Sequence, residues 1–411
     1  MIRARSSQAL FVLLLFLLAV TLTASTPMPG AATVAALSVS YTGTNYYTPV
    51  EDFSRCTRWT WLTNCYTDPA ASETAQQGVS SDAAFIVHNG QGTFQRVWVS
   101  LDELMNWDPT TGYHGFNSQY LANLDDALAR FHAYGIKVEL VLFQWGLHTE
   151  DQYQFHPEAL DGNHATMRAH YLQAMRDFVS HLAANPTDAA TVAVMDLQNE
   201  AYYQMKQFFE QGQSYLGTFT QCWTGSVVDR GCVDQNITRP WLTDLYNAAH
   251  GAAPNFEYTV SDVGYLLTTT ASDQQFWESM YPVDVYDIHV YSPAPWNDAA
   301  RWATGSLLKR PWFSGESGCV VNDDFSCSYS GNTQCAQPST CALSVDTWWL
   351  NNLKSDGASA VLVEDNGTAW TTPDGPKTQT LTLVGHQIQQ VTLNSPAAPL
   401  LTSTPTATTS P

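Results

Sequence analysis

The chain has 411 residues, 44% of them hydrophobic and 13% charged, a balance that excludes a disordered protein and allows one large domain or two ordinary ones. Its formal charge of −21, from 38 acidic against 17 basic residues, repels nucleic acid and anionic lipid. Such a surface suits an uncharged substrate or an acidic medium, or it serves solubility alone.

The N-terminus reads "MIRARSSQALFVLLLFLLAVTLTAS". Arg3 and Arg5 precede the apolar run Ala9–Val20, and small residues follow. That is the layout of a secretory signal over residues 1–25, with cleavage near Ala24 or Ser25 or as late as Ala36. The run is short for a membrane span, which needs ~20 apolar residues, so export without stable membrane association is expected.

From Tyr41 onward, short runs that are apolar on both faces alternate with amphipathic stretches. The expected strands cover 42–47, 95–101 ("QRVWVSL"), 136–143 ("IKVELVLF"), 191–198 ("TVAVMDLQ"), 256–263 ("FEYTVSDV"), 284–291 ("DVYDIHVY"), 310–316 ("RPWFSGE") and 358–365 ("ASAVLVED"). Runs of this kind suit strands buried in a parallel sheet. Leu121, Leu124, Leu128 and Phe131 keep one helical face, as do Met167, Tyr171, Met175, Phe178 and Leu182. In "HAYGIKVEL" a helix closes at Gly135 and hands over to a strand. Further helices are expected within 72–88 and at 240–250, 271–280, 297–307, 344–355 and 377–391. Eight βα units point to a (β/α)₈ barrel with long loops over residues 41–393; a doubly wound sheet is the alternative. The stretch 394–411, rich in Pro, Thr and Ser, cannot bury a core and reads as a disordered tail.

Eight cysteines in an exported chain point to disulfides. Cys56 with Cys65, and Cys222 with Cys232, are close enough to close small loops. Cys319, Cys327, Cys335 and Cys341 crowd a loop after the seventh strand and can pair in three ways. The chain contains no C-x-x-C, so structural zinc is the weaker reading.

A barrel of this type carries its site at the C-terminal ends of the strands. Those ends supply Arg96 on the second strand, Trp145 after the third, Asn199 and Glu200 after the fourth, His289 and Tyr291 on the sixth, and Glu316 on the seventh. Glycoside hydrolysis needs a carboxyl pair across the scissile bond, one to protonate the leaving oxygen and one to attack carbon or activate water. Glu200 and Glu316 are that pair. Asn199 can meet a sugar hydroxyl, and His289 and Tyr291 can orient the carboxylates. Trp145, Trp296 and Trp370, with Trp98, lie near strand ends as stacking surfaces for sugar rings. A metal site built on His289 and nearby carboxylates is a weaker reading on ligand spacing.

"LQNE", "DIHVY" and "FSGESG" resemble the fourth-, sixth- and seventh-strand signatures of clan A glycoside hydrolases, especially family 5, and "RVWVS" resembles that family's second-strand arginine motif. "VDVYDIHVYSPAPW" is similar to the sixth-strand segment of the family's β-mannanases. The resemblance implies Glu200 as acid/base, Glu316 as nucleophile, and a retaining mechanism without metal or cofactor. The chain departs from the family at Trp98, where a smaller residue is usual, at "FQWG", which lacks a histidine common in its cellulases, and at "VEDNG", which offers no tryptophan until Trp370.

"FSGESGC" also approaches the G-x-S-x-G turn of serine hydrolases, with Ser317, Asp365 and His386 in the matching order. That motif needs glycine where Cys319 stands and a helix where a polar, cysteine-rich loop follows. The expectation is therefore a secreted, monomeric O-glycosyl hydrolase acting on a β-linked polysaccharide or oligosaccharide such as β-mannan or β-1,4-glucan. A serine esterase using Ser317 and a non-catalytic carbohydrate-binding barrel are the alternatives.

Overall fold

The computed structural model describes residues 41–46, 60–68, 74–88, 94–108, 110–143, 165–201, 222–224, 227–228, 232, 234–263, 283–289, 312–317, 320–321, 327–328 and 360–364. The signal at 1–25, the tail at 394–411, Tyr291, Trp145, Trp296, Trp370, Asp365 and His386 lie outside these residues. So do Cys56, Cys319, Cys335, Cys341 and the helices expected at 271–280, 297–307, 344–355 and 377–391.

All eight expected strands form. They are β1 (Tyr41–Tyr46), β2 (Phe94–Trp98), β3 (Lys137–Val141), β4 (Val192–Asp196), β5 (Glu257–Thr259, resumed as Ser261–Val263), β6 (Tyr286–His289), β7 (Trp312–Ser317) and β8 (Ala360–Glu364). Every neighbouring pair among them is parallel. The order of the sheet runs from the second half of β5 through β6, β7, β8, β1, β2, β3 and β4 to the first half of β5. Its two ends are therefore one strand, interrupted at Val260. The Asp284 amide, just ahead of β6, donates to Tyr258 O in the first half of β5 at 2.9 Å and bridges the interruption. The sheet closes on itself as the (β/α)₈ barrel expected from the pattern of runs, and the doubly wound alternative falls.

Helices α1 (Ala75–His88), α2 (Ser118–Ala133), α3 (Ala165–Ala184) and α4 (Arg239–Ala252) pack outside the strands. The apolar stripe of α2 is buried at Leu124, Ala127, Leu128 and Phe131. Asn117 caps its start by accepting from the Gln119 amide. It ends where the Gly135 amide donates to His132 O at 2.9 Å and the Ile136 amide to Phe131 O at 3.0 Å. That closure needs a left-handed residue, and Gly135 supplies φ 70°. In α3, Tyr171, Met175, Phe178 and Leu182 are buried as the spacing requires. Tyr171 and Trp241 of α4 meet Phe143, just beyond β3, with ring centroids 5.8 and 6.5 Å from it. Among the described residues no helix is long and apolar enough to cross a membrane.

The period of two along the strands separates a second apolar group from the helix-facing core. Phe94, Val194, Val285 and Phe313 cluster on the opposite face of the sheet, inside the barrel. They form a floor. Two residues further along β2, β4 and β6 come Arg96, Asp196 and Asp287, which therefore point inward directly above it.

Two features were not expected. A hairpin of Met105–Asp108 and Gly112–Phe116 follows β2, turned by Asp108, whose Oδ1 accepts from the Thr110 and Thr111 amides at 2.8 Å each. The expected strand at 95–101 stops at Trp98, and Leu101 already begins a short helix, Leu101–Leu104. Disulfide chemistry is as expected where it is described: Cys222 and Cys232 are joined, and Cys65 is disulfide-bonded.

Candidate active site

The site is built on strand ends that share the barrel's interior. Arg96 is wholly buried, and its guanidinium reaches three carboxylates from three strands. Nε meets Glu139 of β3 at 3.2 Å, Nη2 meets Asp196 of β4 at 2.8 Å, and Nη1 makes a short contact with Oε1 of Glu316 on β7. Nη2 also donates to Asn199 Oδ1 at 2.8 Å. The guanidinium also packs against Trp98, with Cζ 4.7 Å from the ring centroid. Trp98 is 2% exposed, so at this departure from the family pattern the ring packs against Arg96. Burial alone would lower the pKa of Arg96, but Glu316, Glu139, Asp196 and Asp287 outweigh it and fix the cation.

Glu200 takes an unusual backbone. Its φ is 44°, the one positive value at a non-glycine residue among those described. Its amide donates to Ser261 Oγ at 3.0 Å, and Ser261 in turn donates to Asp196 Oδ2 at 2.6 Å. The β4 end is thus turned by contacts to the resumed half of β5. A left-handed glutamate costs on the order of 1–3 kcal/mol and persists only where surroundings over-determine it.

Glu316 sits at a bulge. Ser314 pairs with Val361 and Ser317 with Val363, so β7 has one residue more than β8 between these points. The extra residue re-aims the strand just where Glu316 leaves it. Gly315 is required there: its amide donates to Asp287 Oδ1 at 2.6 Å, and a Cβ at this position would strike the Asp287 carboxylate.

His289 joins the two glutamates. Its Nδ1 lies 3.0 Å from Glu200 Oε1 and 3.5 Å from Glu316 Oε2, and its Nε2 is 3.4 Å from Asp287 Oδ2. One oxygen of Glu200, one of Glu316 and a ring nitrogen of His289 all fall within 4.8 Å of one another. Burial opposes charge on His289, yet Glu316, Asp287 and Glu200 together hold its pKa well above the usual imidazole value. That shift favours the charged ring, whose Nδ1 faces both glutamates. The side chain of Glu200 is 15% exposed and that of Glu316 7%, so both carboxylates open toward solvent from an otherwise dry cluster.

Five of the residues expected from the sequence, Arg96, Asn199, Glu200, His289 and Glu316, therefore converge. Glu139, Asp196, Asp287 and Ser261 were missed. Asp287 and His289 share a face by the two-residue period, and that was the available signal.

No family model matches the chain, and no curated protein matches it. Solved structures do match. A broad-specificity GH5-4 endoglucanase from an uncultured bacterium superposes with a TM-score of 0.58 at 12% identity, over 86% of this chain and 95% of that one. A β-1,4-mannanase from the sea hare Aplysia kurodai gives 0.53 at 14%, over 86% and 92%. The β-mannanase of the blue mussel Mytilus edulis gives 0.52 at 13%, over 85% and 91%. At such identities the likeness is one of fold: this chain is similar to the barrels of family 5-type, clan A glycoside hydrolases.

Proposed function

We propose that the protein is a retaining glycoside hydrolase that cleaves β-linked glycans such as β-mannan or β-1,4-glucan. The observation that carries this reading is the approach of Glu200 and Glu316 to within 4.8 Å, oxygen to oxygen, at the open end of the barrel. Retaining glycosidases hold their carboxyls ~5–5.5 Å apart, whereas inverting ones need ~6.5–9.5 Å to admit a water. Mannanases and endoglucanases among the structures of similar fold support the choice of substrate class.

The chemistry follows from the neighbours. The Arg96 cation against Glu316 favours its anionic form, as a nucleophile requires. Glu316 attacks the anomeric carbon while Glu200 delivers a proton to the departing oxygen. Glu200, now a carboxylate, accepts the His289 proton bond and takes a proton from the water that opens the glycosyl ester. Asn199 commits its Oδ1 to Arg96, which leaves its amide nitrogen as the atom that would meet a sugar hydroxyl. Tyr291, Trp145, Trp296 and Trp370 remain proposals for substrate contacts. Export is supported by the N-terminal segment and the cysteines.

Reducing-end release is the test, measured on mannan, cellulose derivatives, mixed-linkage glucan, xylan and galactan. We expect activity on one of the first three, and a first-formed product in the β-configuration by NMR. An α-anomer would remove Glu316 as nucleophile. Silence on all polymers with glycan binding retained would favour a binding barrel, and ester hydrolysis with covalent labelling of Ser317 would favour the esterase.

A further inference from the structure

The tier above the lumen floor contains more negative charge than its partners balance. Glu139, Asp196, Asp287 and Glu316 are between 0% and 5% exposed. Among the described residues, one guanidinium, Arg96, and one imidazole, His289, face them. Arg96 spends its nitrogens on Glu139, Asp196 and Glu316 and makes no ion pair with Asp287. Asp287 takes the Gly315 amide on Oδ1. Three atoms then remain without a hydrogen bond: Glu139 Oε2, Asp287 Oδ2, and His289 Nε2, which stands 3.4 Å from Asp287 Oδ2. The two oxygens belong to carboxyl groups that share one triad with Asp196, with one oxygen from each lying within 4.8 Å of the others.

Two adjacent buried carboxylates cannot both ionise, and each orphaned oxygen costs free energy. A divalent cation would relieve the charge, but the Arg96 guanidinium already lies against two members of the triad and would repel it. A single proton relieves both orphaned oxygens at once. It is the smaller change, and it makes one oxygen a donor and the other its acceptor.

We propose that Glu139 is a neutral carboxylic acid that donates its proton bond to an anionic Asp287, and that this pair holds His289 as the imidazolium standing between Glu200 and Glu316. Glu139 and Asp287 are positioning residues: neither touches substrate, and both act through His289. The inference rests on the glycosidase reading only for its kinetic consequence. The direction of the proton is supported by the opposite tendencies of the two acids. Burial and then Asp287 push Glu139 well up, against Arg96. Asp287 is held low despite its burial by His289, Arg96 and the Gly315 amide. The groups that face this pair are Arg96, Asp196, Glu316 and His289, with Glu200 beyond the imidazole.

Glu139→Gln copies the proposed state, with an oxygen toward Arg96 and an amide N–H toward Asp287. The test compares it with Glu139→Ala and Asp287→Asn in the full chain. In infrared difference spectra, the neutral-carboxyl band should vanish on Glu139→Gln. In NMR of histidine-labelled protein, the His289 ring should stay charged to higher pH in wild type and Glu139→Gln than in Asp287→Asn. On a cleaved glycan, kcat should fall ~100-fold in Glu139→Ala and Asp287→Asn, with KM little moved, but less than ~10-fold in Glu139→Gln. The proposal is overturned if no carboxyl band is lost, if His289 titrates alike in wild type and Asp287→Asn, if Glu139→Gln is as damaged as Glu139→Ala, or if purified protein carries a stoichiometric divalent metal. If Glu139→Ala fails to fold, the spectra of Glu139→Gln still decide. A protein inert on every glycan that nonetheless shows the band and the His289 shift would defeat the glycosidase reading alone.

Discussion

The floor of the barrel lumen and the tier above it are equally dry and chemically opposite. Phe94, Val194, Val285 and Phe313 are 0% exposed, and so are Arg96 and Asp196, two residues further along β2 and β4, and Glu139 on β3 between them. The floor buries apolar surface at a gain of ~1.5–3 kcal/mol per large side chain. The tier above must desolvate charges whose mutual attraction seldom does more than offset that cost. Depth of burial therefore does not distinguish a structural layer from a chemical one. What distinguishes them is whether burial is spent on packing or on holding charges in place.

Substitutions in the two layers should separate cleanly. Glu316→Gln should reduce kcat on the order of 10⁴–10⁶-fold on every substrate, as loss of a nucleophile does, while circular dichroism and the thermal midpoint show the barrel intact. Glu200→Ala should cost ~10²–10⁴-fold on polymers and much less on aryl glycosides with good leaving groups, which need little protonation. Azide should restore its turnover and yield a β-glycosyl azide; failure of rescue would remove Glu200 as acid/base. In the floor, Phe313→Ala should lower unfolding free energy by ~3–5 kcal/mol in denaturant titration and leave kcat per folded molecule unchanged. A large kcat effect there would erase the distinction between the layers.

The smallest effect is on pH dependence of stability. Burial, aided by a neighbouring acid in each case, raises Asp102, Asp188 and Glu257 to about 7. Burial raises Glu139 and Asp196 as well, and carboxylate neighbours raise His289 against its burial. A carboxyl raised on folding binds more protons in the folded state, so its stabilisation is complete below its unfolded value and is lost as pH climbs through about 7. His289 has the same sign, lost above its raised value. Asp287 and Asp126 are lowered and act the other way, at acid pH. The thermal midpoint should be a few degrees higher at pH 5 than at pH 8; a midpoint that rises over that interval would contradict these assignments.

The strands were legible because runs apolar on both faces have few other places in a barrel of this size. Glu200 and Glu316 were legible because they stand where those runs stop. The interruption of β5 was not, since "FEYTVSDV" reads as one strand and only the register across the seam reveals Val260. The hairpin after β2 was signalled by "DPTTG", whose Asx turn at Asp108 has no bearing on hydrophobic period. Glu139, Asp196 and Asp287 were hidden because inward-facing charges inside a strand look the same as solvent-facing ones until the sheet closes around them.

Closure also dictates the order in which this molecule can be completed. Tyr41 pairs with Ala360, and β8 is hydrogen-bonded to both β1 and β7. The last of these eight strands to leave the ribosome is the staple between the first and the seventh. Until Glu364 is available, β1 and β7 each present an open edge, the surface most prone to pair with another chain. Contacts this distant in sequence make folding slow. A chain stopped before Ala360 would hold most of its apolar residues and both glutamates, yet it would be expected to aggregate and not to fold into a smaller barrel.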